Sequence, residues 1–457
     1  FLMDIDLENP AISIQAGLPN GSVAAMTTVR EQANAASTAG RRVVGAVNGD
    51  FFNTSTGIPI GNVIHNGQIL KSSTRETFGI TENGQALIGY PNPSFTLQIG
   101  DATHQIHHLN DVRQSNQLAL YSPERKETRT NEHGTEVVLS NIEGNVHQPG
   151  TAKATVEKVI KNVGNETIPQ GKLVLSGHGT MAAVLDNLQA GQEVQITTAL
   201  AEQWQTVTEA IGGQYVLVKE GKKTNLVSNA FTTAVAPRTA AGIKADGSVF
   251  FIIMDGRQPG YSEGITVFEL QDLMFELGAV EALNFDGGGS STFVAREQGE
   301  EELSVSNIPS DGTERGVANS LLVVSTAETG SLEQLAIKPS SVLMLAESAY
   351  NFGAKGMDAN YNPVNLEEAV SWTVSDSSFG AVNDEGILTA GPTAANGKII
   401  GTAAGGAIGE ANVTIVDELS SLTFNQQALT VKRGETSELK VTALSGGRHV
   451  HHDPANL

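Results

Sequence analysis

Phe250-Phe-Ile-Ile-Met-Asp-Gly-Arg257, Thr266-Val-Phe-Glu-Leu-Gln-Asp-Leu-Met-Phe-Glu-Leu277 and Val280-Glu-Ala-Leu-Asn-Phe-Asp-Gly-Gly-Gly-Ser-Ser-Thr292 decide how the chain is read. The first and third open as short apolar runs, the mark of buried strands. Between them Val267, Leu270, Leu273, Met274 and Leu277 recur at i, i+3, i+4 spacing, which predicts an amphipathic helix. Thr266 and Glu269 stand as a capping box at its start, and Gly278 closes it. The three pieces make a strand–helix–strand unit, with strands 250–254 and 280–285 expected as neighbours in a parallel crossover. Asp255 and Asp286 then follow the carboxyl ends of those strands, where open α/β sheets place ligands.

Outward from this unit the strand signals are short and frequent. Arg42–Asn48 is a buried strand entering a polar turn, and Asn66-Gly67 fits a type I′ hairpin turn between apolar flanks. Asn83-Gly84 and Asp246-Gly247 repeat that pattern. A second helix is expected within Thr27–Ala39. Residues 91–200 are poorer in apolar runs and read as a β-rich insertion. The expectation for residues 1–328 is an α+β catalytic domain with a mixed sheet and few helices. Residues 331–416 show strands at intervals of roughly 8–12 residues, which favours an all-β sandwich. Residues 417–445 echo its opening as the start of a second repeat, and 446–457 read as a tail outside the strand pattern.

Composition narrows the chemistry. The chain has 457 residues, 28 Lys+Arg against 50 Asp+Glu, a net charge of −22 and no Cys. Such acidity disfavours nucleic acid and anionic membranes, since the basic residues are scattered. Thiol nucleophiles, disulfides and Cys-ligated zinc are excluded. No apolar run reaches the roughly 20 residues of a membrane span. The first residue is Phe1, so a removed signal peptide is compatible with the sequence.

Four segments carry chemistry: Asn48-Gly-Asp-Phe-Phe52, Ala236-Pro-Arg-Thr-Ala240, Met254-Asp-Gly-Arg257 and Asn284–Thr292. Three consecutive glycines, Gly287, Gly288 and Gly289, cost conformational entropy and pack nothing. They make sense where backbone N–H groups approach a ligand, and Ser290, Ser291 and Thr292 add hydroxyls suited to phosphate or sugar oxygens. The Gly-Lys-Ser/Thr ending of a nucleotide phosphate loop is absent. Arg238 and Arg257 could hold an anion bidentately. Paired carboxylates are the toolkit of glycosidic cleavage. A sugar carrying a phosphate is the ligand these features suggest. Ca²⁺ is admitted by the Asp-rich motifs without EF-hand spacing, and no cofactor is required.

Seven motifs in order resemble the phosphodiester glycosidase family: Asn48–Phe52, Pro237–Ile243, Asp255–Arg257, Thr266–Leu270, Asn284–Thr292, Asn307–Ser310 and Arg315–Asn319. The resemblance spans about residues 40–325. It implies hydrolysis of the bond between an anomeric carbon and a phosphodiester, in a small glycoside or an envelope glycopolymer. It makes Asp50, Asp255, Glu269 and Asp286 the acid/base candidates and Arg238, Arg257 and Arg315 the phosphate clamps. Asn48, Thr239, Gly287–Gly289, Ser290, Ser291 and Asn319 become binding partners. Glu269 competes as the capping-box residue, and Asp50 stands where the family often has Gly. From about Leu332 the chain resembles bacterial Ig-like repeats, which implies a secreted or cell-surface enzyme with possible wall association. The rivals are a non-catalytic carbohydrate-binding or adhesion protein and a phosphodiesterase cutting the P–O bond.

Overall fold

Strand side chains alternate, so a run of five apolar residues needs a partner on each face. In the computed structural model, which describes residues 1–424, 430–432, 434, 437 and 439–456, both partners are present. Phe250 and Ile252 pack with Val267, Leu270 and Met274 of the helix. Phe251 and Ile253 pack the opposite way, with Ile14, Val47, Leu321 and Val323 of a second sheet. That sheet covers its far face, through Val43, Ala46, Leu322 and Val324, with Val29 and Ala33 of another helix.

Six strands frame this region: β1 (Arg42–Asn48), β2 (Val207–Gly212), β3 (Arg238–Lys244), β4 (Val249–Met254), β5 (Ala279–Asn284) and β6 (Ser320–Ser325). Helices α1 (Val29–Ala36) and α2 (Val267–Glu276) carry the outer layers. The expected adjacency of β4 and β5 is corrected, because β3 lies between them and pairs antiparallel with both. β3, β4 and β5 belong to a six-stranded sheet completed by Leu2–Ile5, Val216–Lys219 and Lys222–Lys223, and its pairing is antiparallel throughout in place of the expected mixed one. β4 and β5 still run in the same direction, so their carboxyl ends share one edge with Arg238 at the start of β3.

Local signals explain the elements. The capping box forms, with Thr266 accepting from the Glu269 N–H and Glu269 from the Thr266 N–H. Thr28 and Glu31 cap α1 in the same way. Asn66 and Gly67 both take positive φ, 51° and 70°, as a type I′ turn requires. At Asn83-Gly84 and Asp246-Gly247 only the glycine does, so those hairpins use longer loops. The chain is about 9% helix and 46% strand.

β2 belongs to a third sheet with strands Val63–His65, Gln68–Lys71, Thr77–Thr81 and Ala86–Gly89. The chain leaves this sheet after Gly89 and returns at Val207. Between these points an eight-stranded sheet packs Phe95, Leu97, Val137, Leu175 and Ile196 into a core that also takes in Ile64, Ile69, Val207 and Ala210 of the third sheet.

A second compact unit takes residues 297–302 and 327 onward. A larger sheet and a three-stranded sheet there share a core of Leu335, Ile337, Phe352, Leu388, Ile399 and Val413. The segment 417–445 lies partly outside the described residues; within it Ser421–Phe424 pairs with Val441–Ser445. The expectation of a tail without strands from residue 446 is corrected. Gly446 and Gly447 turn at positive φ, Arg448–His449 pairs back on Val441–Ser445, and Val450 is buried.

β2 ends at Gly212, where an added Cβ would overlap the Gly61 Cα and stand 2.8 Å from Asp50 Oδ2. Backbone cannot yield there as a flexible side chain could. Gly212→Ala is expected to destabilise the unit by about 2 kcal/mol or more. Gly353→Ala, where nothing lies within 4 Å, should stay within about 0.5 kcal/mol. Urea midpoints of the two variants check the contrast.

Candidate active site

β1 runs into Gly49-Asp50, β5 into Phe285-Asp286, and β3 starts with Arg238-Thr239. The buried Asn48 joins them. Its side-chain oxygen accepts from Thr239 Oγ1 at 2.8 Å and the Thr292 N–H at 3.2 Å, while its amide donates to the Asp286 carbonyl at 2.7 Å. The Asp286 N–H donates to the Gly49 carbonyl at 3.0 Å. Two sheets are thus stitched at their strand ends, with Asp50 and Asp286 each following a strand that enters the stitch.

Asp50 is 2% exposed. Its N–H donates to Asn319 Oδ1 at 2.8 Å, and its Oδ2 accepts from the Gly61 N–H at 2.5 Å. Burial pushes the Asp50 carboxyl up to about 7; the Asp286 charge adds to the rise, and the Gly61 N–H and Lys71 oppose it. Burial also raises Asp286, against the pull of the Ser290 hydroxyl, the Gly287 N–H and Arg315. The Asp286 Oδ1 accepts from that N–H at 2.9 Å, whereas the Ser290 hydroxyl is buried nearby without a well-formed hydrogen bond. The Asp286 charge thus favours the protonated form of the buried Asp50 carboxyl.

The glycine run closes over cations. Gly288–Ser290 makes a single 3₁₀ turn, with Gly288 at φ 61°. A Cβ on Gly288 would lie 3.1 Å from both Nη atoms of Arg257, and one on Gly289 would overlap Arg315 and Asp311. Arg257 is exposed, has no ion pair among the described residues, and sits at φ 59°, a strained value for a side chain of its size. Arg315 is paired with Asp311, Nε to Oδ2 at 2.8 Å. Arg238 is buried: Nε donates to the Ile265 carbonyl and Nη2 to those of Phe231 and Ala234, with the guanidinium 4.8 Å from the Phe231 ring centre. Arg257 is therefore the cation free to meet a ligand, and Arg238 chiefly frames the site. Buried Asn319 Nδ2 and Ser290 Oγ have no partner among the described residues. Thr239 Oγ1 lies 3.2 Å from Ser291 Oγ.

Two acid/base candidates stand elsewhere in the network. Both Asp255 oxygens are occupied, Oδ1 by Asn307 Nδ2 at 2.8 Å and Oδ2 by the Ile308 N–H at 3.0 Å and Tyr261 at 3.1 Å. It holds the 307–308 segment, and Asn307 in turn donates to the Ser291 carbonyl at 3.1 Å. Glu269 is exposed and accepts at 2.8 Å from both the N–H and the hydroxyl of Thr266. Among the described residues no three His, Asp or Glu side chains converge as a metal site.

Sequence reasoning missed Lys71, Gly61 and Gly212. The glycines cradle Asp50, and the Gly212-Gly213 pair at a strand end was a signal of close backbone approach. Lys71 gives none, because nothing in Gln68-Ile-Leu-Lys71 shows that its charge is buried.

The phosphodiester glycosidase family matches residues 135–324. That span holds Arg238, Arg257, Asp286 and Asn319 but not Asn48 or Asp50. The chain is 38% identical over 87 residues to the SPbeta prophage-derived uncharacterized protein YomE of Bacillus subtilis (strain 168), 19% of this chain and 12% of that protein. It is 35% identical over 66 residues to the N-acetylglucosamine-1-phosphodiester alpha-N-acetylglucosaminidase of Bos taurus, 14% of this chain and again 12% of that protein. Only about an eighth of each relative is therefore matched. A hypothetical protein from Synechocystis shares the fold at TM-score 0.58 and 19% identity, over 71% of this chain and 58% of that one.

Two outcomes check these assignments. The Asp50 carboxyl titrates near 7 when folded against an ordinary 3.8, so the unfolded chain releases that proton first as pH rises. The associated stability is intact below about pH 3.8, falls up to about pH 7 and then levels off. In Asp50→Asn that fall should vanish, the variant gaining on the wild type between about pH 4 and pH 8 by at most about 4 kcal/mol, read from urea midpoints. Glu269→Gln preserves a capping box and should leave any turnover within about two-fold of wild type, whereas general acid–base groups are worth about 10² to 10⁴.

Proposed function

Because the chain carries the phosphodiester glycosidase family across residues 135–324, we propose that it hydrolyses the glycosidic bond of a sugar-1-phosphodiester. One observation carries the reading: the Asp50 carboxyl is raised by burial and by the charge of Asp286, which opens a glycine turn on which Arg257, without an ion pair among the described residues, rests. An anionic diester approaching two ionised carboxylates would be repelled. With one proton held on Asp50, the pair carries a single negative charge and Arg257 offsets it.

Asp286 is the ionised member, since the Gly287 N–H and Arg315 face it. On this reading it acts at the anomeric carbon, as base toward water or as nucleophile. The leaving phosphate is a far weaker base than an alkoxide, so its departure depends less on a proton than on charge stabilisation. Arg257 and the N–H groups of the Gly287–Ser290 turn supply that. The Asp50 proton then serves chiefly to keep the pair singly charged. Free sugar and a phosphomonoester leave. The substrate class is an N-acetylglucosamine-1-phosphodiester or a related envelope glycopolymer, with the C-terminal unit acting as an Ig-like spacer at a bacterial surface.

With a panel of glycosyl-1-phosphodiesters, Asp286→Asn should lower kcat by about 10³, and Arg257→Ala should lower kcat/KM by about 10². In ¹⁸O-water the label should appear in the released sugar. Label in the phosphate would show P–O cleavage, and saturable glycan binding without turnover would show an adhesion protein.

A further inference from the structure

The Ile60–Gly61 peptide has a charged group at each end. Its carbonyl oxygen accepts from Lys71 Nζ at 3.2 Å, and its N–H donates to Asp50 Oδ2 at 2.5 Å. The Ile60 N–H donates to the Phe51 carbonyl at 2.8 Å, which fixes this peptide alongside Asp50. The Lys71 side chain is fully buried, and its remaining bonds run to the Ser72 carbonyl at 3.3 Å and Asp111 Oδ2 at 2.9 Å. Asp111 comes from the eight-stranded region, between strands His108–Leu109 and Leu118–Tyr121. Burial pushes the Asp111 carboxyl up, but the Lys71 charge and hydrogen bond outweigh it and hold it below the usual range.

We propose that Lys71, held by Asp111, is a positioning residue that sets the proton affinity of Asp50 through the Ile60–Gly61 amide. A cation on the carbonyl polarises the amide and makes its N–H a stronger donor, and low-dielectric surroundings enlarge the effect. Without it, less would oppose burial and the Asp286 charge, and Asp50 would hold its proton to higher pH. With it, the proton is exchangeable near neutrality. The groups facing Asp50 are Lys71 and Asp286; behind them stand Asp111 with His108, and Arg315. The eight-stranded region thereby reaches the carboxylate pair without touching it. The consequence for turnover rests on the proposed hydrolysis, while the relay itself does not.

The full chain labelled with [4-¹³C]aspartate tests it by NMR, the carboxyl signal missing in Asp50→Asn being that of Asp50. Lys71→Gln keeps a donor for the Ile60 carbonyl but removes the charge, and should move the Asp50 midpoint up by about one pH unit or more. Lys71→Arg should bring it back close to wild type. Asp111→Asn, at the more exposed partner, leaves Lys71 less neutralised and should move the midpoint down. It decides the matter alone if the buried substitutions fail to fold. An Asp50 midpoint that stays put in these variants overturns the relay. A moving midpoint in a protein that releases no sugar sustains the relay and removes the catalytic reading. Sugar release with an unmoved midpoint does the reverse.

Discussion

The backbone hydrogen bond from the Asp286 N–H to the Gly49 carbonyl, with the Asn48 amide on the Asp286 carbonyl at 2.7 Å, ties together segments 238 residues apart. It holds the end of β5 against the end of β1 and so fixes where the two carboxylates stand. Everything chemical in the molecule depends on that stitch. Asn48 is fully buried, and all three of its side-chain bonds go to residues of the site. A shorter or less polar side chain there would leave the Thr292 N–H and the Asp286 carbonyl without partners in the interior, at about 1–3 kcal/mol each. The three stacked layers of apolar side chains around β4 supply the rigidity that lets two strand ends hold such a geometry.

Much of this was legible in the sequence where the signal is local. The helix at 267–276 is written in its apolar spacing and in Thr266 with Glu269, and the Asn66-Gly67 turn in the demand for two positive φ values. The adjacency of β4 and β5 was not legible, because β3 precedes both in the chain and enters between them by long-range pairing. Asp255 shows the same limit at the level of a site. Read from its strand end it resembles Asp286, and only the arrival of Asn307 and Ile308 distinguishes a structural carboxylate from a free one. Glu269 carried both readings on the page, and its contacts are those of a helix cap. Lys71 was invisible, since a lysine closing an apolar strand gives no hint of the carbonyls and carboxylate around it.

The charge of −22 acquires a local meaning. The chain as a whole repels anions, so any attraction for an anionic ligand must come from short-range contacts in a desolvated site. Of the three arginines that the sequence offers, the structure commits Arg238 to backbone carbonyls and Arg315 to Asp311, leaving Arg257 exposed at the turn with no ion pair among the described residues. Asp50 sits in a Gly61–Gly212 cradle where burial pushes its carboxyl up to about 7, a cost to stability of the kind that functional positions carry. The family match at residues 135–324 does not include Asn48, Asp50 or Lys71.

The pH dependence of kcat/KM for a sugar-1-phosphodiester, measured for the wild type and Asp50→Asn, addresses this arrangement at its source. A single proton shared by the pair predicts a wild-type profile that falls as pH rises through about 7, where Asp50 ionises. It predicts an Asp50→Asn profile that stays level there, with activity reduced by no more than about ten-fold because a neutral amide keeps the pair singly charged. The same fall in both proteins, or an Asp50→Asn variant as inactive as Asp286→Asn, would contradict it.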